Sequence, residues 1–280
     1  MPSQKRVRDE LQFVIELTTL FDVLQQTAVS QLRRADERVA QQPHLQEWLT
    51  HDVFPLLPVA AEQDALVRGG SRGQLLVLLT SNEGLAGPLH GAVVREALRR
   101  AEDKAEWWLV GQRGRRLLNA QITPAQVIPA PSDDQADIQM RRVARALLAR
   151  YTQATVREAW LVTSRFVSAT HQEAVAYPLL PLPLGRGVGR LTDPELIIEP
   201  SVQQVVREVA SLWVEAVCVE AFWSARRAEC SARTLHMELS CQALTKQLRL
   251  IRYELYKAMH ERVDVAVRES CLVAMKAGAR

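Results

Sequence analysis

The segment Ser201–Ala277 reads SVQQVVREVASLWVEAVCVEAFWSARRAECSARTLHMELSCQALTKQLRLIRYELYKAMHERVDVAVRESCLVAMKA, with neither glycine nor proline. Those two residues are what interrupts helices. Pro200 stands just before it and Ser201 suits an N-cap, so the sequence predicts one helix on the order of 115 Å long. No small domain covers such a helix. An apolar seam at Leu244, Leu248, Ile251, Leu255 and Ala258 shows how part of it is covered; the seam then meets Arg262, Val265, Glu269 and Leu272.

A second run without breakers, Ser3–Gln42, lies at the other end of the chain. Alternating steps of four and three place Val7, Leu11, Val14, Thr18, Phe21, Gln25, Ala28, Leu32, Ala35 and Val39 on one line, and only Thr18 and Gln25 are polar. A 3.5-residue repeat is the seam of a coiled coil. The two termini therefore predict an antiparallel coiled coil, in which the longer C-terminal helix projects alone for part of its length.

Between the runs lies the signature of an α/β domain. Gln74–Thr80 (QLLVLLT) is a continuous apolar run expected as a buried strand. The turn Ser81–Gly87 follows, then a helix from Pro88 to about Lys104 and a strand at Trp107–Val110. A short helix or turn is expected at Arg115–Asn119 and a strand at Ala125–Pro129. Next come a helix over Asp134–Thr152, with Ile138, Val143, Leu147 and Leu148 as its apolar face, and strands at Glu158–Ala169 and Val175–Leu182. This alternation predicts a mostly parallel, Rossmann-like sheet covered by helices. Leu184–Pro200 reads as a loop. The expected divisions are 1–58 for the N-terminal coiled-coil helix, 70–185 for the α/β domain and 201–280 for the long C-terminal helix.

The chain has 280 residues, a net charge of +3 and 5% aromatic residues. That charge is too small to argue for nucleic acid, and the arginine pairs, such as Arg226-Arg227, are scattered among acids and read as solvated faces or local ion pairs. No apolar stretch reaches the ~18 residues of a membrane span, and the first ten residues lack the pattern of a signal peptide. Gly84 and Gly87 sit where a doubly wound fold binds phosphates, but the spacing is G-x-x-G with no lysine after it, so they read as a structural turn. The six histidines show no metal-ligand spacing, the four cysteines no C-x-x-C pair, and Ser81, Ser164 and Ser168 no nucleophile context. No catalytic residue, metal or cofactor is expected.

Six segments carry a family resemblance. Leu75–His90 (LLVLLTSNEGLAGPLH) resembles the strand and turn of F-type ATP synthase gamma subunits, with Ala86 where cysteine is usual and His90 where asparagine is usual. Val110–Gly114 (VGQRG) is similar to the family's Val-Gly-x-Lys/Arg-Gly. Ser164–Ser168 (SRFVS) with Leu179–Leu182 (LLPL), Ile198–Val206 (IEPSVQQVV), Gln31–Val39 (QLRRADERV) and Glu229–Leu244 follow in register with its other motifs. The chain departs at Asp22–Ala28 (DVLQQTA), where Met-Lys is usual, at His260–Val265, and at Arg268-Glu269, which stands for Gln-Glu.

The resemblance implies a non-catalytic rotor shaft that couples ion flow through a membrane ring to ATP synthesis or hydrolysis. It implies as partners the alpha and beta catalytic subunits, the epsilon subunit and the c-subunit ring, with a peripheral place on the cytoplasmic face of the bacterial inner membrane. It also implies contacts to the catalytic ring at Arg262 and Glu269, and at Arg33 and Arg34. The rival readings are a coiled-coil scaffold or adaptor with an α/β domain, and a small-molecule or nucleotide enzyme with a pocket at Ser81–Gly87.

Overall fold

The computed structural model describes residues 4–42, 44–57, 59–118, 122–154, 156–184 and 198–277. The expected loop Leu184–Pro200 thus lies largely outside the described residues. Helix α1 spans Gln4–Gln41. A short helix α2 (Leu45–Trp48), turns of π and 3-10 helix between Leu49 and Gln63, and α3 (Ala65–Arg68) lead into the sheet. Then follow β1 (Arg72–Leu79), α4 (Leu89–Arg100), β2 (Ala105–Val110), α5 (Gln112–Leu117), β3 (Gln126–Ile128), α6 (Ala136–Ala154), β4 (Val156–Ser168), β5 (His171–Leu180) and α7 (Val202–Ala277). Ser201 caps α7 as its sequence suggests, its hydroxyl accepting from the Gln204 amide at 3.3 Å.

Two compact units result, Val29–Arg233 and a second one made of the chain before Val29 and after Arg233. In the first, the sheet order is β3-β2-β1-β4-β5. β1 pairs in parallel with both β2 and β4, and β5 closes one edge antiparallel to β4. The apolar run of β1 is continuous because both faces are covered. Leu75, Val77 and Leu79 point into a core with Met140, Val143, Leu147 and Tyr151 of α6 and with Val206 to Trp223 of α7. Leu76 and Leu78 point the other way, against Val93, Val94 and Ala97 of α4. Each such side chain, fully buried, stabilises by roughly 1.5–3 kcal/mol relative to exposure. The three indoles of the larger core keep their N–H groups satisfied: Trp108 donates to Glu106 at 2.9 Å, Trp213 to the Leu179 carbonyl at 3.0 Å and Trp223 to Asp137 at 2.7 Å.

Two sequence expectations are corrected. Ile138 is 60% exposed and not part of the α6 face, which runs instead through Ala136, Met140, Val143, Ala144, Leu147 and Tyr151. Two residues before Met140, and so about 200° round the helix from it, Ile138 falls on the outer side. Helix α4 ends at Arg100, short of Lys104, for a tertiary reason. The Gln74 side chain on β1 donates to the Arg100 carbonyl at 3.2 Å and accepts from the Glu102 amide at 3.0 Å, which satisfies the helix end from outside.

In the second unit, Val7, Val14 and Ile251 are buried, with Leu11, Leu244, Leu248 and Leu255 packed around them. The seam of α1 thus meets the clean stretch of the α7 seam, as the repeat requires. Beyond it Arg262, Val265 and Glu269 are exposed. Because this core is thin, Ile251→Val, which removes one methylene, is expected to cost about 1 kcal/mol. Urea unfolding of the purified chain followed by far-UV circular dichroism checks it; an unchanged midpoint counts against a packed seam.

Candidate functional site

Doubly wound folds bind ligands outside the carboxyl ends of their strands, where the chain order reverses. Here that place lies beyond β1 and β4. The segment leaving β1 is Thr80-Ser81-Asn82-Glu83-Gly84, and hydrogen bonds lace it to the neighbouring loops. The Thr80 amide and hydroxyl both donate to the Val110 carbonyl, at 2.8 and 3.1 Å, and the hydroxyl accepts from the Gly114 amide at 3.0 Å. Asn82 donates to the Ala130 carbonyl at 3.0 Å and accepts from the amides of Gln112 and Ala130, both at 3.2 Å. The Val-Gly-x-Arg-Gly segment has a physical reason in this arrangement. A side chain at Gly114 would crowd Leu78 and Thr80 at 3.0 Å, and one at Gly111 would collide with the Thr80 backbone.

A phosphate-binding turn aims its N–H groups at the ligand. This turn offers carbonyls to cations instead. Arg113 donates its side chain to the Glu83 carbonyl at 3.1 Å and its amide to the Ser81 carbonyl at 3.0 Å, while Arg233 of α7 donates to the Gly84 carbonyl at 3.2 Å. Of the expected turn glycines, Gly87 has a φ of 57° and Gly84 has none in the left-handed range, which Leu85 occupies at 68°. A side chain at Gly84 would overlap the Arg113 guanidinium.

Helix α7 closes the crevice with three charged residues on one face. Arg226 reaches Asp133 at 3.0 Å, Glu229 at 3.6 Å and Glu83 at 3.7 Å. Arg233 reaches Glu229 at 2.5 Å and Glu83 at 2.8 Å, and donates to the Gln31 side chain of α1 at 2.9 Å. Glu229 and Arg233 are 4% and 7% exposed. Burial pushes the Glu229 carboxyl up, against the pull of Arg233 and Arg226. What remains of the crevice is a cavity of about 430 Å³, lined among others by Ser81, His90, Ser164, Arg34 and Glu229.

Ser81 and His90 stand 3.2 Å apart, the one contact here that resembles a nucleophile and its base. The chemistry does not follow. Burial, and then the charges of Arg113 and Arg233, bring the His90 imidazole down to about 4, far from the near-neutral value a general base needs. The Ser81 hydroxyl also donates to the Glu83 carbonyl at 2.9 Å. Among the described residues no group of His, Cys, Asp and Glu side chains could hold a metal, and no disulfide joins any of the four cysteines.

The sequence reading of the arginine pairs missed this cluster. Arg226 belongs to the pairs read as solvated faces or local ion pairs; it is ion-paired and its side chain is 14% exposed, but its partners include the distant Asp133 and Glu83 as well as the local Glu229. One signal was present: charges at 226, 229 and 233 share a helix face with small Ala228, Cys230 and Ala232 around them, which allows close approach. The residues expected to touch partners are scattered. Arg262 and Glu269 are exposed on α7, Arg33 and Arg34 are exposed on α1, and only Arg34 lines the cavity.

A Rossmann-like domain whose crevice is partly closed by buried charges from its own long helix defines the chain as an α/β domain built onto long terminal helices. Comparison with known proteins agrees. The family model described as ATP synthase matches residues 3–257. The chain belongs to this family, as a gamma chain. It is 26% identical over 254 residues to the ATP synthase gamma chain of Burkholderia mallei (strain SAVP1), covering 85% of this chain and 87% of the relative. The gamma chain of Burkholderia multivorans is 25% identical over the same shares. Among solved structures, a chain of the Euglena gracilis mitochondrial ATP synthase (OSCP/F1/c-ring, rotational state 3) superposes with a TM-score of 0.70 at 17% identity, covering 99% of this chain and 96% of that one. A chain of the Tetrahymena thermophila mitochondrial ATP synthase central stalk gives 0.59 at 18% identity, over 79% of this chain and 99% of the other. A gamma chain is a non-catalytic subunit, the catalytic sites belonging to beta subunits. No helix among the described residues is long and apolar enough to cross a membrane.

Proposed function

We propose that this chain turns as the central shaft inside a ring of alpha and beta subunits, and that its sheet domain binds the epsilon subunit and the c-subunit ring. Each angular position of the shaft favours different conformations of the catalytic subunits, so rotation shifts their nucleotide affinities in turn; this is a coupling free energy carried by a rigid element. The complex would sit on the cytoplasmic face of a bacterial inner membrane, held by the c ring. Domain divisions at 1–58, 70–185 and 201–280 fit this division of labour between shaft and foot.

The observation that carries the reading is α7 beyond its paired seam. Tyr253, Tyr256, Val263 and Val267 are each more than half exposed, at 3- and 4-residue steps through His260. An exposed row of large apolar side chains on one side of a helix, here broken only by His260, marks an interaction surface. Arg262 and Glu269 lie on the same stretch, and we assign them contacts with the catalytic ring, with weaker ones at Arg33 and Arg34.

The test is co-purification. The chain is tagged in its native host, extracted in mild detergent, and its companions identified. Recovery with alpha, beta, epsilon and c subunits is the expected result. Recovery as a soluble dimer without ATPase subunits would overturn the shaft and favour the scaffold reading.

A further inference from the structure

We propose that Arg226, Glu229 and Arg233 are positioning residues: a register lock by which the sheet domain grips α7, so that rotation delivered to that domain passes into the helix without slip. The inference rests on the shaft reading above. Its starting point is a limit of the apolar core. Val206 to Trp223 bury α7 against the sheet, but hydrophobic contact is non-directional, and a helix that turns or slides slightly keeps much of its buried area. Directional contacts fix register. Trp213, Glu215 and Trp223 each supply one or two along α7, and this cluster is the set that ties the helix to the most elements at once.

Arg226 and Arg233 together hold groups from three separate elements. Glu83 and the Gly84 carbonyl come from the loop after β1, Asp133 from the turn before α6, and Gln31 from α1. Glu229 sits between the two cations. A small apolar cluster of Ala228 and Ala232 with Ala86 and Leu89 holds the helix close to the loop. Position in the chain adds to this, since Arg233 is the last residue of α7 in its compact unit.

Stability alone does not account for such a cluster. Replacing a buried ion pair by apolar groups of similar volume is often neutral or stabilising, whereas registry is a well-attested use of buried charge. The two roles predict different results when the charges are replaced in shape.

The experiment uses the assembled complex in sealed membrane vesicles, carrying the double variant Glu229→Met/Arg233→Met or the single variant Arg233→Lys. Gradient-driven ATP synthesis, ATP hydrolysis and thermal unfolding are measured for each. The double variant is expected to assemble and melt near the parent temperature, and to hydrolyse ATP within about two-fold of the parent. Its synthesis is expected to fall about ten-fold, the size of an ordinary coupling free energy. Arg233→Lys, which keeps the charge, is expected to recover part of the synthesis. An unchanged ratio of synthesis to hydrolysis overturns the lock. So does a parallel loss of both activities with lowered melting in both variants, since that assigns the cluster a purely structural role. Failure of the shaft reading is separate: the unaltered chain would then not assemble with the catalytic subunits at all.

Discussion

Gly111→Val is expected to destabilise the sheet domain severely. Gly111 has a φ of 91°, where L side chains carry strain, and a Cβ there would lie 2.3 Å from the Thr80 carbonyl oxygen and 2.9 Å from that of Ser81. Those atoms cannot retreat. The Thr80 amide is bonded to Val110 at 2.8 Å, its hydroxyl ties it to Val110 and Gly114, and the Gly111 amide itself donates to Ile128 at 2.8 Å. The strained backbone alone costs of order 1–3 kcal/mol, and the collision with main chain adds to it. A loss of about 4 kcal/mol or more is expected, against a typical domain stability of about 5–15 kcal/mol. Urea unfolding of the purified chain is the measurement. Gly91→Ala is the control: Gly91 lies inside α4, a Cβ there meets only the flexible end of Arg95 at 3.5 Å, and a gain of up to ~1 kcal/mol is expected. A Gly111→Val variant that keeps the parent midpoint would refute the close approach.

The second large effect is a dependence on acid. His90 is brought down to about 4 in the folded chain from an ordinary value of 6.5. The unfolded chain therefore binds a proton that the folded chain refuses across that interval. Stability is lost as pH falls from about 6.5 towards about 4, and the full loss from this one group is about 3 kcal/mol. Glu229 acts with the opposite sign. Its carboxyl is raised by burial, so protonating it favours the folded state, and that contribution appears at the acid end, as pH falls through its raised value. His90→Asn removes the first contribution and leaves the second. Asparagine has no proton to gain and can still bond Ser81. The parent should lose stability between pH 6.5 and 4 by about 3 kcal/mol more than the variant. Unfolding curves collected across that interval test it, and parallel pH profiles for the two proteins would sink the prediction.

Both effects arise at the carboxyl end of the sheet, where Thr80, Asn82 and Gly111 seal what other folds of this kind leave open. Sealing fits the assignment to the gamma family. A domain that transmits force gains from bonded loops, whereas a ligand site needs free donors. His90 and Ser81 show the same thing chemically: the pair is close, but its surroundings keep the imidazole neutral and weakly basic.

Much of the fold was legible because it rests on local rules. The two runs without glycine or proline became α1 and α7, since nothing in them stops a helix. The run Leu75–Leu79 became a central strand, because only a strand covered on both faces has no polar side. Val7, Val14 and Ile251 met in the seam that a 3.5-residue repeat demands. The misreadings share a cause. Ile138 is apolar but faces outward, since the orientation of α6 is decided by Met140 and Leu147 together. Helix α4 stops at Arg100 because Gln74, distant in sequence, takes over its last groups.

The candidate site was less legible still. Periodicity and breakers determined the elements, their order and the coiled coil, because those depend on neighbours within a turn or two along the chain. Which charges are buried was decided only by the tertiary structure. Arg233 finds Glu83, and Arg226 finds Asp133, across separations of about a hundred residues or more, and the small residues around them on α7 allow close approach without saying which partners arrive. A charge enters the interior only when partners arrive from other elements to offset its desolvation, and that meeting is a property of the folded chain.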